Sequence, residues 1–233
     1  MLIKLRPKSE FSRNVLTLMT GTTIAQAIPI AISPILTRIY TPEDFGVFAL
    51  FIGVVGVISV IATLTYEQAI ILPKYDKYAI NIFMLSLILI LFTSIFSFII
   101  IFSFKEEILN LLNNDLLGNW LFFVPITVFF LALFNLLTNY NNRIKEYKDI
   151  AKATVIKSLV LSIIQVLIGF LKSGFAGLIL GQVLAQIFAN LKLAKNILKN
   201  KILLSSVSYI QMLVLARKYF NFPKYHMPHA LFG

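Results

Sequence analysis

Six long stretches almost free of charge dominate this sequence, and no other feature limits its fold so tightly. They cover Val15–Leu36, Phe45–Leu72, Ile80–Phe104, Trp120–Leu137, Thr154–Leu171 and Phe175–Leu193. About 20 apolar residues in helical form cross the roughly 30 Å hydrocarbon layer of a bilayer. Lipid offers no partner to an open backbone N–H or C=O, so such stretches must be helices. The ten-residue alternation of a closed barrel is not visible. The expected fold class is therefore all-α: a polytopic transmembrane helical bundle of six helices. Composition agrees, since only 13% of the residues are charged where a soluble domain carries about a quarter.

The net charge of +11 would suit nucleic acid in a polar chain. Here the placement of the cations gives it another meaning, and no nucleic-acid partner is expected. Lys4, Arg6, Lys8 and Arg13 precede the first stretch. Lys74 and Lys77 occupy the second connection; Arg143, Lys145, Lys148, Lys152 and Lys157 the fourth. Lys192, Lys195, Lys199, Lys201, Arg217, Lys218 and Lys224 follow. The other side keeps only Arg38, Lys105 and Lys172, against Glu43, Asp44, Glu106, Glu107 and Asp115. Basic connections stay in the cytoplasm, so both termini are expected there. The organisation expected is a cytoplasmic N-terminus over 1–14, a six-helix transmembrane lobe over 15–193, and a cytoplasmic basic segment over 194–233. Within that tail an amphipathic stretch, Ile202–Leu215, is expected at the inner membrane surface.

Chemistry-bearing motifs are sparse. The chain has no cysteine, which removes disulfides and thiolate metal sites. His226 and His229 stand without a carboxylate nearby, so neither a metal site nor a cofactor is expected. No Gly-rich phosphate loop and no nucleophile–base arrangement stands out, so the chain is not read as an enzyme. Glu146 and Asp149, among Arg143, Lys145 and Lys148, read as a solvated charge cluster.

Polar groups inside the apolar stretches are the remaining candidates, because each costs free energy in lipid. Glu67 lies on the second helix, about four or five residues from its cytoplasmic end and about 8 Å inside. It is either an interfacial salt-bridge partner or an ion-linked site. Arg38 is either a snorkelling cation or a phosphate-binding fork at a cavity mouth. Gln182, Gln186 and Asn190 fall on one helix face, which either lines a hydrated cavity or joins two helices. Thr22, Thr23, Gln26 and Ser33 accompany Pro29 and Pro34 on the first helix. That combination suggests a kinked helix beside a polar cavity.

Four segments resemble a known family. The first runs Pro34-Ile35-Leu36-Thr37-Arg38-Ile39-Tyr40-Thr41-Pro42-Glu43-Asp44-Phe45-Gly46, where Thr41 and Pro42 suit a helix N-cap and first turn. The second is Tyr66-Glu67-Gln68-Ala69-Ile70-Ile71-Leu72-Pro73-Lys74. Asn142-Arg143 with Tyr147-Lys148, then Gly177-Leu178-Ile179-Leu180-Gly181, form the third. Phe222-Pro223-Lys224-Tyr225 is the fourth. Together they are similar to the Wzx-type polysaccharide flippases (O-antigen and lipopolysaccharide translocases) of the multidrug/oligosaccharidyl-lipid/polysaccharide superfamily. Members usually have twelve or more helices in two lobes, and this sequence resembles the N-terminal one, with a seventh helix to follow.

The resemblance implies translocation of an undecaprenyl-diphosphate-linked oligosaccharide across the bacterial cytoplasmic membrane, with a C-terminal lobe and the polysaccharide polymerase machinery as further partners. It gives Arg13 and Arg38 a role at the diphosphate, Gln26, Gln182 and Gln186 a role at the glycan, and Glu67 a role in ion coupling. The alternatives are a drug/cation antiporter of the same superfamily, which would want deep acidic residues, and a membrane-embedded glycan polymerase, which would want a large outer loop.

Overall fold

The computed structural model describes residues 10–171, 174–199 and 205–232, and every described element is helical. Six helices are long and apolar enough to cross a membrane. They are α1 (Glu10–Ile39), α2 (Pro42–Ala62), α3 (Asp76–Ser103), α5 (Phe123–Arg143), α6 (Tyr147–Phe170) and α7 (Ala176–Lys199). A short helix, α4 (Lys105–Leu112), and a 3₁₀ turn, Asp115–Phe122, join α3 to α5. Beyond α7 come α8 (Tyr209–Lys218) and a final turn, Met227–Phe232. The chain is a multi-pass membrane protein, with six candidate spans among its described residues. The beginning of the expected amphipathic stretch, Ile202–Leu204, lies outside the described residues, as do Lys4, Arg6 and Lys8.

Helix α5 is the hub. Its Val124, Val128, Ala132, Leu136, Leu137 and Tyr140 are buried against α2, α3 and α7. Helix α7 packs on α6, and α6 carries α1. Small residues make these seams possible. A Cβ on Gly21 would stand 2.5 Å from the Ala151 Cβ, so α1 and α6 meet nearly backbone to backbone. At the far end Tyr40, just past α1, wedges between Gly169 of α6 and Gly177 of α7. Its hydroxyl donates to the Gln165 carbonyl at 2.6 Å. Helices α1 and α2 meet at this end through Tyr40, Phe45 and Phe48 and make no substantial contact beyond it.

Local signals place several boundaries. Thr41 caps α2: its hydroxyl accepts from the Asp44 N–H, and Asp44 accepts from the Thr41 N–H at 2.9 Å, with Pro42 opening the helix. This reciprocal cap satisfies two open donors, and the acids of the first turn suit the positive helix end. Helix α1 runs continuously through Pro29 and Pro34. The second apolar stretch is not one helix. Helix α2 stops at Ala62, Leu64 and Thr65 adopt positive φ (49° and 58°), and Tyr66–Ile71 continue as a 3₁₀ helix. L-residues adopt that backbone only at a cost, so the fold holds this break against local preference.

Candidate functional site

The end of the bundle where α1 begins, α2 and α5 finish and α8 docks is rich in cations; it is called the basic end below. There Arg143, at the last turn of α5, reaches the connection between α2 and α3. It donates to the Asp76 carboxylate at 2.7 Å and to the carbonyls of Ile70, Ile71 and Pro73 at 3.1, 3.3 and 2.8 Å. The Ile70 and Ile71 carbonyls end the 3₁₀ helix, where they lack a helical partner, and the Pro73 carbonyl lies in the connection just beyond it. One guanidinium thus closes the turn that follows the break in α2. Asp149, expected in a solvated cluster with Glu146, is instead partly buried. It pairs with Lys192 at 2.8 Å and accepts from Asn196 at 2.9 Å. Asn196 also donates to Asn141, whose own amide donates to the Leu137 and Leu193 carbonyls. This network ties α5, α6 and α7 together.

Glu67 sits in the 3₁₀ helix, beyond the end of α2, so the depth expected for a continuous helix does not apply. Its side chain is buried at 8% exposure and Oε2 has no partner. Thr65 beside it is buried with an unpartnered hydroxyl. Burial lifts the Glu67 carboxyl above the usual carboxylate range, opposed by hydrogen bonds from Thr63 and from its own backbone N–H. No described Lys or Arg forms an ion pair with it.

The other sequence candidates are distributed as follows. Arg13 and Arg38 lie near opposite ends of the continuous α1. At about 1.5 Å per residue they are about 37 Å apart, so one diphosphate cannot touch both at once. Gln26 is exposed on α1, on the stripe that carries Thr22, Ser33 and Thr37. The Thr22 and Thr37 hydroxyls donate to carbonyls three and four residues back, the way a hydroxyl satisfies itself in lipid. On α7, Gln182 is half-buried and Gln186 is fully buried, with neither amide atom partnered. Asn190, one turn further, donates to the Phe130 carbonyl of α5 at 2.8 Å. The part of the stripe from Gln186 to Asn190 therefore faces a neighbouring helix.

The sequence groups Lys157 with the four basic residues before it in the fourth connection. The structure starts α6 at Tyr147, which puts Lys157 about 15 Å into a spanning helix. Its ammonium lies 4.8 Å from the centre of the Phe134 ring of α5, and no described carboxylate pairs with it. Asn135, next to Phe134, is exposed, and Asn139 follows one turn on. This stretch of α5 and α6 is the one place where a cation stands halfway along a described spanning helix. The signal for it is a lone Lys inside Thr154–Leu171, legible once the helix is begun seven residues earlier, at Tyr147.

Comparison with known proteins follows from this geometry. The family model described as "Polysaccharide biosynthesis protein" matches residues 35–223, most of the chain. The chain belongs to that family. The match takes in the capped start of α2, the 3₁₀ turn with Glu67, Arg143, Lys157 and the polar stripe of α7. No curated protein matches the chain. Among solved structures it is similar to a MATE transporter, ClbM, in complex with Rb⁺, at 17% identity and a TM-score of 0.49. The match covers 90% of this chain and 52% of that one, so the chain spans about half the length of the solved relative.

Proposed function

We propose that this chain is one lobe of a flippase that carries a lipid-linked oligosaccharide across the bacterial cytoplasmic membrane, with its basic end in the cytoplasm. The observation that carries the reading is Lys157. A lysine midway through a spanning helix costs about 2.5–3.5 kcal/mol on insertion scales, so it is kept where it faces water, a partner or a charged cargo. A ring face offsets part of that cost, but the charge is left without a counter-ion. An anionic head group passing between this lobe and another would supply one. Membership of the polysaccharide biosynthesis family supports the cargo class.

The physical problem is that sugars and a diphosphate cannot cross about 30 Å of hydrocarbon unaided. A polar path between two lobes shields the head group while the isoprenoid tail stays in lipid, and the lobes rock to open each side in turn. Lys157 and the Asn135–Asn139 stretch serve the middle of that path, Arg13 its cytoplasmic mouth and Arg38 its outer mouth. Gln26 and Gln182 add hydrogen-bonding capacity along the walls. Glu67, a buried acid at a helix break, is the candidate coupling group. The lobe works with a second one, encoded with it or apart from it, and with polymerase machinery downstream.

Complementation of a flippase-deficient strain tests this, with the chain expressed alone and alongside a candidate second lobe. Surface polysaccharide returns in at least one arrangement. Lys157→Gln and Arg38→Ala lower it at unchanged protein abundance, and Lys157→Arg retains more than Lys157→Gln. No restoration in any arrangement overturns the flippase reading. Full export by Lys157→Gln overturns the role given to that side chain.

A further inference from the structure

The tail helix α8 has two apolar sides, and the bundle uses one of them. Met212 and Leu215 are buried against the bundle beside α3. The fully buried Asn81 of α3 fixes the approach to α8: its amide donates to the Ser206 carbonyl at 3.2 Å and to the Gln211 side chain at 3.3 Å. Its carbonyl accepts from the Ser208 N–H at 2.8 Å. The Tyr66 hydroxyl donates to the Ala216 carbonyl at 2.9 Å and holds the other end. The opposite side presents Tyr209, Ile210, Leu213 and Val214, exposed by 71, 73, 47 and 59%. A helix apolar on both sides needs a second cover, lipid or protein.

Depth and charge identify the lipid. Asn81 lies five residues into α3, about 7 Å from its first residue. That is the level at which an in-plane amphipathic helix settles between head groups and acyl chains. Arg217 and Lys218, at the end of α8, are exposed and without an ion pair among the described residues. Lys74, Lys77 and Lys224 are exposed at the same end of the bundle. The nearest acid on α3, Asp76, is already taken by Arg143. Unpaired cations at head-group level attract phosphatidyl anions, and salt weakens that attraction.

We infer that α8 is an interfacial helix: Ile210, Leu213 and Val214 sit in the leaflet at the basic end, and Arg217 and Lys218 bind anionic phospholipid there. This rests on the bundle spanning a bilayer and is independent of any cargo.

The absence of cysteine makes single-site labelling direct. Fluorophores are attached at Ile210→Cys and Val214→Cys, with Met212→Cys as the buried control. The full chain is reconstituted in phosphatidylcholine vesicles with and without phosphatidylglycerol. Brominated lipid quenches the labels at 210 and 214, aqueous iodide does not, and neither reaches the label at 212. Lipid quenching at 214 is about two-fold stronger with phosphatidylglycerol, and added salt or the pair Arg217→Gln, Lys218→Gln removes that difference. Quenching of 210 and 214 by iodide overturns the lipid-facing assignment, and so does quenching by neither agent, which would mean a protein cover. Equal quenching in the two lipid mixtures overturns the anionic preference. None of these outcomes bears on whether glycan is exported, so failure here is distinct from failure of the flippase reading.

Discussion

Arg143 shows how much one side chain can hold in place. It satisfies two carbonyls at the end of the 3₁₀ helix and a third just beyond it, and pairs with Asp76. Arg143→Met removes these bonds together and strands carbonyls in a partly buried turn, at a cost of about 2–3 kcal/mol. Thermal unfolding in detergent should show the loss, and Arg143→Lys, a single point of charge in place of a fork, should recover part of it. Glu67 gives a prediction with a sign. Its carboxyl is held above the usual range by burial, so the folded chain binds its proton more tightly than the unfolded chain does. Stability from this group is fullest below the ordinary carboxylate pKa and falls as pH rises toward the folded value. Glu67→Gln should raise the melting temperature at neutral pH and flatten that part of the pH profile. An unchanged slope would remove Glu67 as its source. The sequence named Glu67 as notable, but its burial was not legible there, because the break at Leu64 and Thr65 involves no Gly, Pro or Asn.

At the scale of elements, composition revealed the six spans because lipid imposes length and apolarity on each one. The boundaries it misjudged share a cause. Charged residues near α6 and at the end of α5 suggested a connection, whereas Lys148 and Lys152 are turns of helix whose charged heads sit at the basic end. Lys157 was misplaced by the same reasoning. The cap at Thr41 was legible because it is chemically local; the seam between α1 and α6 was not, because it depends on Gly21 and Ala151 meeting across the fold. The contact of Tyr40 with Gly177 of α7 makes a separate prediction. A methyl group at Gly177 would collide with the Tyr40 hydroxyl, so Gly177→Ala should cost about 1–3 kcal/mol as overpacking. Tyr40→Phe alone should cost about 1 kcal/mol for the lost bond to Gln165. In the double variant the two costs should not add, since they act on one contact. Melting curves of the four proteins test this.

For the molecule as a whole, the distribution of cations predicts a direction in the membrane. Lys74→Cys, in the connection closed by Arg143, should react with a membrane-impermeant maleimide only after cells are permeabilised. Asn113→Cys, in the turn after α4, should react in intact cells. The reverse pattern would invert the proposed topology. This expectation rests on the sequence alone, because the positive-inside rule depends on counts in connections and tolerates errors of a few residues at each boundary. It carried little about which polar groups converge, since convergence is set by packing around α5.

The partner that shelters α1 is α6, and Gly21 is separated from Ala151 by 130 positions of chain. A ribosome working at about 5–20 residues per second leaves α1 without its docking surface for on the order of ten seconds. During that wait its threonines are answered by its own carbonyls, so the solitary rod has little to attract a stranger. A helix made 130 positions ahead of its partner is thus fastened late, and its chemistry is that of a segment able to stand alone in oil.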